Sequence, residues 1–318
     1  MLSPAHCRCP IFRTNEGQRL DLSLAMHPAR DALFSSQAIH SSKDISMKNF
    51  SKLASAFTAI GILSLHLSAP ASAATSGAPA KPTVVLVHGA FAESASWNDV
   101  ARDLRARSFP VVAVANPLRG VKSDADYVAA LVGSIPGPVV LVGHSYGGLV
   151  ISAAAVGKPN VQGLVFVAAF APEVGESAAD LSGKFPGSTL GSALAAPVLL
   201  PEGAKDLYIQ QEKFSKQFAE DVPPALARLM AVSQRPITEG ALGEASPAAA
   251  WKNLPSWFIY GDQDKNIPAA AQAFMAERAK SMKTVVVKGA SHVVMISRPK
   301  LVTRLIAEAA DAVAKAQP

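Results

Sequence analysis

The stretch that most constrains this chain is Val139-Val140-Leu141-Val142-Gly143-His144-Ser145-Tyr146-Gly147-Gly148. Its first four residues are apolar, mostly β-branched and bounded by Pro138 and Gly143, which predicts a buried parallel strand. The small residues from Ser152 to Ala155 predict a helix lying close to that strand. Ser145 stands at the turn between them, flanked at two positions on either side by Gly143 and Gly147. So sharp a strand-to-helix turn strains the serine backbone and leaves no room for neighbouring side chains. It also lifts the hydroxyl to a helix N-terminus, where unpaired N–H groups and the helix dipole favour a developing oxyanion. A Gly-x-Ser-x-Gly string arises by chance in about one chain in ten of this length. The strand–turn–helix setting is therefore what marks Ser145 as a nucleophile.

The chain is 318 residues long, but its first 73 read as separate from the folded part. Met47-Lys48-Asn49-Phe50-Ser51-Lys52 is a basic start, Leu53 to Leu67 an apolar run, and Ala71-Ser72-Ala73 a small-residue cleavage signal. The expectation is a signal peptide over 47–73, an over-extended start over 1–46, a flexible Ala/Pro/Gly/Ser leader over 74–82, and an exported, periplasmic or secreted protein with no membrane attachment after cleavage. Both cysteines, Cys7 and Cys9, lie upstream, so disulfides and thiolate metal sites are excluded from the remainder. From Ala74 onward there are 23 basic and 20 acidic residues, which makes no electrostatic case for nucleic acid.

Thr83 to Val87 predicts a first strand ending at His88-Gly89-Ala90, followed by a helix capped by Ser94 or Ser96. Pro110 to Ala115 is a second strand, and Tyr127, Ala130, Leu131 and Ile135 mark the stripe of a second helix. Gly163 to Ala169 is a fourth strand after the one that leads to Ser145. This alternation predicts a mostly parallel sheet covered by helices on both faces, with ligand chemistry at the C-terminal strand ends. It stops at Ala171; from there to about Leu254, helical pieces such as Tyr208 to Phe218 and Ala225 to Val232 are separated by prolines. Some eighty residues without a strand, inserted over about 171–254, predict a helical cap. Trp257 to Tyr260 resumes the sheet, Pro268 opens a helix, Thr284 to Val287 is the last strand, and a helix from about Lys300 to Lys315 follows.

A serine hydroxyl needs a base within reach. Three histidines follow residue 73: His88, His144 and His292. His144 alternates to the other side of the turn from Ser145, and His88 stands before a glycine where it can hold the loop. His292 lies in the loop after the last strand, at the chemical edge of the sheet, and is the expected general base. The orienting acid is Asp262 or Asp264 of Gly261-Asp262-Gln263-Asp264, which spacing alone does not separate. The oxyanion donors are the N–H of Tyr146, next after the serine, and that of Ala90 in the loop after the first strand.

Across Pro82 to Ala314 the chain resembles the α/β-hydrolase superfamily, and more closely its branch of plant methyl esterases, hydroxynitrile lyases and bacterial carboxylesterases such as pyrethroid hydrolases. Val87-His88-Gly89-Ala90 with Trp97, Gly143-His144-Ser145-Tyr146-Gly147-Gly148, Gly261-Asp262-Gln263-Asp264 and Ser291-His292-Val293-Val294-Met295-Ile296-Ser297-Arg298-Pro299 carry the likeness. The resemblance implies an α/β-hydrolase fold lacking the usual antiparallel first strand, Asp264 as the triad acid, and a cofactor-free, metal-free enzyme. Hydroxynitrile lyases of this branch carry threonine where Gly89 stands and lysine where Val293 stands, so the default is a serine carboxylesterase acting on a small-molecule ester. Leu194, Leu199, Leu200, Phe214, Phe218, Leu226, Leu229 and Met230 are available to line the cap, which suggests a modest apolar or aromatic substrate. A lyase or perhydrolase using the same triad, and a non-catalytic ligand-binding member of the fold, are the alternatives.

Overall fold

The structure, a computed structural model, describes residues 81–316. The over-extended start, the signal peptide and nearly all of the leader lie outside them. Strands and helices alternate through β1 (Thr83–Val87), α1 (Asn98–Ala106), β2 (Val111–Val114), α2 (Val121–Gly133), β3 (Val139–His144), α3 (Gly147–Ala154) and β4 (Val161–Val167). An insertion follows with α4 (Ala178–Gly183), α5 (Leu190–Ala193), β5 (Val198–Leu199), β6 (Lys205–Leu207), α6 (Gln211–Phe218), α7 (Pro224–Val232), β7 (Ile237–Thr238) and α8 (Glu239–Gly243). The sheet then resumes with β8 (Ser256–Gly261), α9 (Ala269–Arg278), β9 (Lys283–Val287), α10 (Val294–Ser297) and α11 (Pro299–Lys315).

The main sheet runs β2-β1-β3-β4-β8-β9, and every pairing in it is parallel. Its centre is dry: Val84 to Val87, Val139 to Val142 and Leu164 to Val167 are all fully buried. Buried faces on both sides explain why these strands read as continuous apolar runs without alternation. Among the helices, α1 packs on α11 and α2 on α3, covering the two faces. Helix α11 buries Val302, Leu305, Ile306, Ala309, Ala310 and Val313, a stripe at helical spacing, and Pro299 opens it at a position that needs no N–H donor. From β1 the chain goes to β2 on one side and then crosses to β3 on the other. The loops leaving β1 and β3 therefore diverge and open a crevice at the C-terminal edge, where ligands bind in such sheets.

Three expectations are corrected. The insertion does contain strands: β5, β6 and β7 form a small antiparallel sheet, each too short to show as an apolar run. Neither Ser94 nor Ser96 caps α1; a 3₁₀ turn over Ser94–Trp97 leads in, and Trp97 occupies the cap position without a side-chain bond. Helix α2 buries Val121, Asp124, Ala125, Val128 and Val132, so Tyr127 faces solvent. The buried stripe of Val121, Ala125, Val128 and Val132 is itself apolar at helical spacing and lies one residue on from the expected one. Among the described residues no helix is long and apolar enough to cross a membrane.

The insertion is tied to the core by charge. Glu244 accepts the N–H groups of Val121 and Lys122 at 2.6 and 3.0 Å, placing a carboxylate on the positive end of α2. Arg119 reaches Asp206 on β6 at 2.7 Å and the Pro236 carbonyl at 3.0 Å. On the opposite flank Arg278 of α9 pairs with Glu176 and donates to the Ala171 carbonyl at 2.7 Å.

Glycines separate packing need from mere permission. A Cβ on Gly148 would lie 2.0 Å from the Phe170 carbonyl oxygen, whereas one on Gly240 would meet nothing within 4 Å. Gly148→Ala is expected to lower stability by about 3 kcal/mol or more, and Gly240→Ala to raise it by about 0.5 kcal/mol, as read by urea unfolding.

Candidate active site

Ser145 follows β3 directly and adopts φ 54°, a left-handed conformation that only a tightly enforced turn sustains. The enforcement is visible in the backbone. A Cβ on Gly143 would lie 2.6 Å from the Gly147 carbonyl, and one on Gly147 would lie 2.6 Å from the Val87 carbonyl. The Ser145 N–H donates to the Ala168 carbonyl at 3.1 Å, and its own carbonyl accepts from Phe170, so the end of β4 pins the turn. Gly89 is equally constrained, because a Cβ there would stand 2.6 Å from the Ser145 Cβ. The loop after β1 is thereby pressed against the turn, bringing Ala90 beside Tyr146. Neither the Ala90 nor the Tyr146 N–H donates to a protein acceptor among the described residues.

His292 and Asp264 meet beside that turn. The imidazole Nδ1–H donates to Asp264 Oδ2 at 2.7 Å, and both side chains are buried. Every lone-pair direction of Asp264 that the loop can supply is used: Oδ1 accepts from the Asn266 and Ile267 N–H groups at 2.8 and 3.0 Å, and Oδ2 also accepts Gln272 Nε2 at 2.9 Å. A carboxylate so held has its orientation fixed by the loop and by α9. Asp262 is elsewhere, accepting the Gly289 N–H at 2.7 Å across the turn after β9. The structure thus brings Asp264, and not Asp262, to the imidazole. His292 Nε2 has no hydrogen-bond partner among the described residues, and His292 and Ser145 line one cavity of about 210 Å³ together with Ala90, Tyr146, Phe170, Leu194, Phe218 and Ile267.

The other two histidines serve the framework. His88 donates from Nδ1 to the Gly89 carbonyl at 2.9 Å and accepts the Asn116 N–H on Nε2 at 3.0 Å, which locks the β1 loop to the end of β2. His144 Nε2–H donates to the His292 carbonyl at 3.2 Å, beneath the site. Burial, then the neighbouring His292, holds His144 well below the ordinary histidine value of 6.5; burial likewise lowers His88.

Several site residues escape sequence reasoning. Phe218 of α6 sets its ring 5.1 Å from that of His292. Gln217 donates to the Lys265 carbonyl at 2.9 Å and to Asn266 at 2.7 Å, while Asp221 accepts the Ser291 N–H at 3.1 Å and also the Ser291 hydroxyl. The cap therefore grips both loops that carry Asp264 and His292. Tyr146 donates its hydroxyl to the buried Asp124 at 3.0 Å, and Asp124 accepts the Arg119 N–H on both oxygens. Burial pushes the Asp124 carboxyl up despite these bonds, and burial followed by Asp124 pushes the Tyr146 phenol up. Of the cap residues expected at the site, Leu194 and Phe218 reach this cavity; Leu226, Leu229 and Met230 line another; Phe214 is buried within the cap and Leu199 is exposed. Polar and isolated as they are in the sequence, Gln217, Asp221 and Asp124 carry no signal short of the fold.

The family profile described as "Alpha/beta hydrolase family" matches residues 84–305. The chain belongs to that family. Its curated relatives include putative methylesterase 19 of Arabidopsis thaliana, 26% identical over 266 residues, spanning 73% of this chain and 98% of the relative. Among solved structures, polyneuridine aldehyde esterase superposes with a TM-score of 0.63 at 20% identity, covering 72% of this chain and 98% of that one. The pyrethroid hydrolase of Sphingobium faniae superposes with a TM-score of 0.58 at 24% identity, covering 74% and 99%. The likeness to the solved structures shows the α/β-hydrolase fold, and the relatives and neighbours found carry the names of esterases and hydrolases.

The buried histidines set a pH dependence of stability. An unfolded histidine takes up its proton near 6.5, whereas His88 and His144 bind theirs only at lower pH in the fold. The unfolded state therefore binds more protons as pH falls below about 6.5, and stability present above that value is lost on acidification. The raised carboxyl of Asp124 acts in the opposite sense, from its ordinary 3.8 upward. The urea midpoint is expected to fall between pH 8 and pH 5, and His144→Gln to flatten the decline; an unchanged slope in that variant would remove His144 from this account.

Proposed function

We propose that the protein is a serine carboxylesterase in which Ser145, His292 and Asp264 act together and the N–H groups of Ala90 and Tyr146 receive the oxyanion. The observation that carries this reading is the sharing of one cavity by a left-handed Ser145 and an Asp264-bound His292. Ser145 Oγ attacks the ester carbonyl carbon as its proton passes to His292 Nε2. Negative charge develops on the carbonyl oxygen, where two N–H groups without other acceptors lower its energy. Collapse expels the alkoxide, which takes the proton from His292 and leaves as alcohol. Water, deprotonated by the same imidazole, then attacks the acyl-serine, releasing the carboxylic acid and restoring Ser145; the net change is ester plus water to acid plus alcohol.

Asp264 contributes by fixing the imidazole tautomer and stabilising its positive form. Its own rigidity comes from Gln272 and the Asn266 and Ile267 N–H groups, so little reorganisation accompanies proton transfer. The lack of space at Gly89 and the burial of Val293 support hydrolysis over cyanohydrin cleavage, since neither position offers the hydroxyl or ammonium that such lyases of the branch carry. The largely apolar lining supports a neutral ester bearing an alkyl or aryl group.

Turnover of 4-nitrophenyl acetate tests the triad. Ser145→Ala is expected to abolish it with the thermal midpoint kept, because the Cβ and backbone packed into the turn are retained and only the hydroxyl is lost. Asp264→Asn is expected to cost up to about 10⁴ in turnover. Asp262→Asn should keep turnover and lose about 1 kcal/mol of stability with the Gly289 contact. The reverse pattern would move the acid to Asp262.

We also propose that the protein is exported, on the basic, apolar and small-residue order of residues 47–73. N-terminal sequencing of the exported form should begin at Ala74; a mature protein retaining Cys7 would refute it.

A further inference from the structure

A second cavity, of about 350 Å³, lies beside α7 and is lined by Phe91, Leu226, Leu229, Met230 and Ile296, with Glu93 and Gln234 among its polar residues. Phe91 lines both cavities. It is also the residue after Ala90, and its backbone is left-handed at φ 59°, uncommon for a large side chain. That conformation is held from the cap, through an N–H bond to the Arg235 carbonyl at 2.9 Å. The ring meets Phe218 edge-on at 6.1 Å, and Phe218 in turn packs on His292. Ile296, the other link to the site, belongs to α10, the short helix that begins just after His292.

We propose that this outer cavity receives one of the two groups flanking the ester carbonyl, with Phe91 as the divider that sets which esters fit. The proposal rests on the esterase reading and names its substrate class: neutral esters with an apolar group on each side of the carbonyl. Volume is the first argument. An apolar cavity of about 150 Å³ accepts benzene, so the inner 210 Å³ has room for little beyond the reacting carbonyl and one ring-sized group. With the outer space added, the site enters the range of about 300–1,000 Å³ that larger ligands occupy.

Exposure is the second argument. Leu229 is 64% exposed and Leu226 41%, although α7 turns Ala227 and Ala231 inward. Apolar side chains facing an open cavity, one buried ring away from the cavity that holds Ser145, are what a ligand groove presents. Charge is the third. No basic side chain lines the outer cavity; Glu93 is paired with Arg235 at 3.0 Å, and Gln234 is spent on the Ile209 backbone at 2.8 and 2.9 Å. An anionic substituent would find acidic neighbours and no partner, which selects neutral groups.

The test compares methyl benzoate with benzyl benzoate, one apolar arm against two, by calorimetric binding to the full chain carrying Ser145→Ala. Benzyl benzoate is expected to bind at least about tenfold tighter, the gain from burying a second ring. Adding Leu229→Asp, or Leu229→Ser as a milder change at the same exposed position, should bring the ratio of the two affinities close to one. Equal affinities in the Ser145→Ala protein, or a preference that survives both Leu229 changes, would overturn the proposal. Because binding is read without turnover, a two-arm preference in a chain that hydrolyses neither ester would instead sink the serine mechanism and leave the outer cavity standing.

Discussion

Everything at the reactive edge depends on the near contact of three backbone segments around Ser145. Gly143 faces Gly147, Gly147 faces the end of β1, and Gly89 faces the Ser145 Cβ, each at a distance no Cβ tolerates. Close packing of this kind does two things at once. It holds a serine in a conformation that costs on the order of 1–3 kcal/mol, and it brings the β1 loop near enough for Ala90 and Tyr146 to present N–H groups together. The dry parallel sheet supplies the stability that such strain requires, because β1, β3 and β4 are buried on both faces. Placement at the divergence of the β1 and β3 loops then follows from strand order.

The cap does more than cover this edge. Gln217 binds the Asp264 loop and Asp221 binds the His292 loop, so one short run of the insertion holds both. Arg119, Glu244 and Asp124 perform a similar service on the other side, where Tyr146 is anchored through its hydroxyl. Such buried and half-buried polar groups are costly unless every partner is present, and here the partners come from cap and core alike. Precise placement of Asp264, His292 and the Ala90 and Tyr146 N–H groups is therefore a property of the assembled domain and not of the strands alone.

The sheet was legible in the sequence wherever burial on both faces produced unbroken apolar runs, as in Thr83–Val87 and Val139–Val142. Ser145 and His292 were legible because the first needs flanking glycines and the second is fixed by chain order relative to the strands. Failure came where a local pattern was overruled by tertiary contacts. The two- and three-residue strands of the cap exist only through pairing with one another. Helix α2 offers two overlapping apolar stripes, and the one through Val121, Ala125, Val128 and Val132 is buried, together with Asp124, which bonds Tyr146 and the Arg119 N–H. Phe91 carries no signal in the sequence, since its left-handed backbone and its packing depend on Arg235 and Phe218, far away in sequence.

Three histidines converge near one turn, and their hydrogen bonds sort them more sharply than their positions do. In His88 both ring nitrogens are committed to backbone groups, which leaves no lone pair for a substrate proton. His144 donates from Nε2 to a carbonyl and is buried beneath the site, where a positive charge would be uncompensated and close to the His292 ring at 4.8 Å. Of the three, only His292 bonds a carboxylate, and it does so through Nδ1, which leaves Nε2 uncommitted among the described residues. Of the three rings, His292 is also the one that lines the cavity holding Ser145. Hydrogen bonding and cavity lining together support His292 as the proposed base, an argument independent of the chain order that first singled it out.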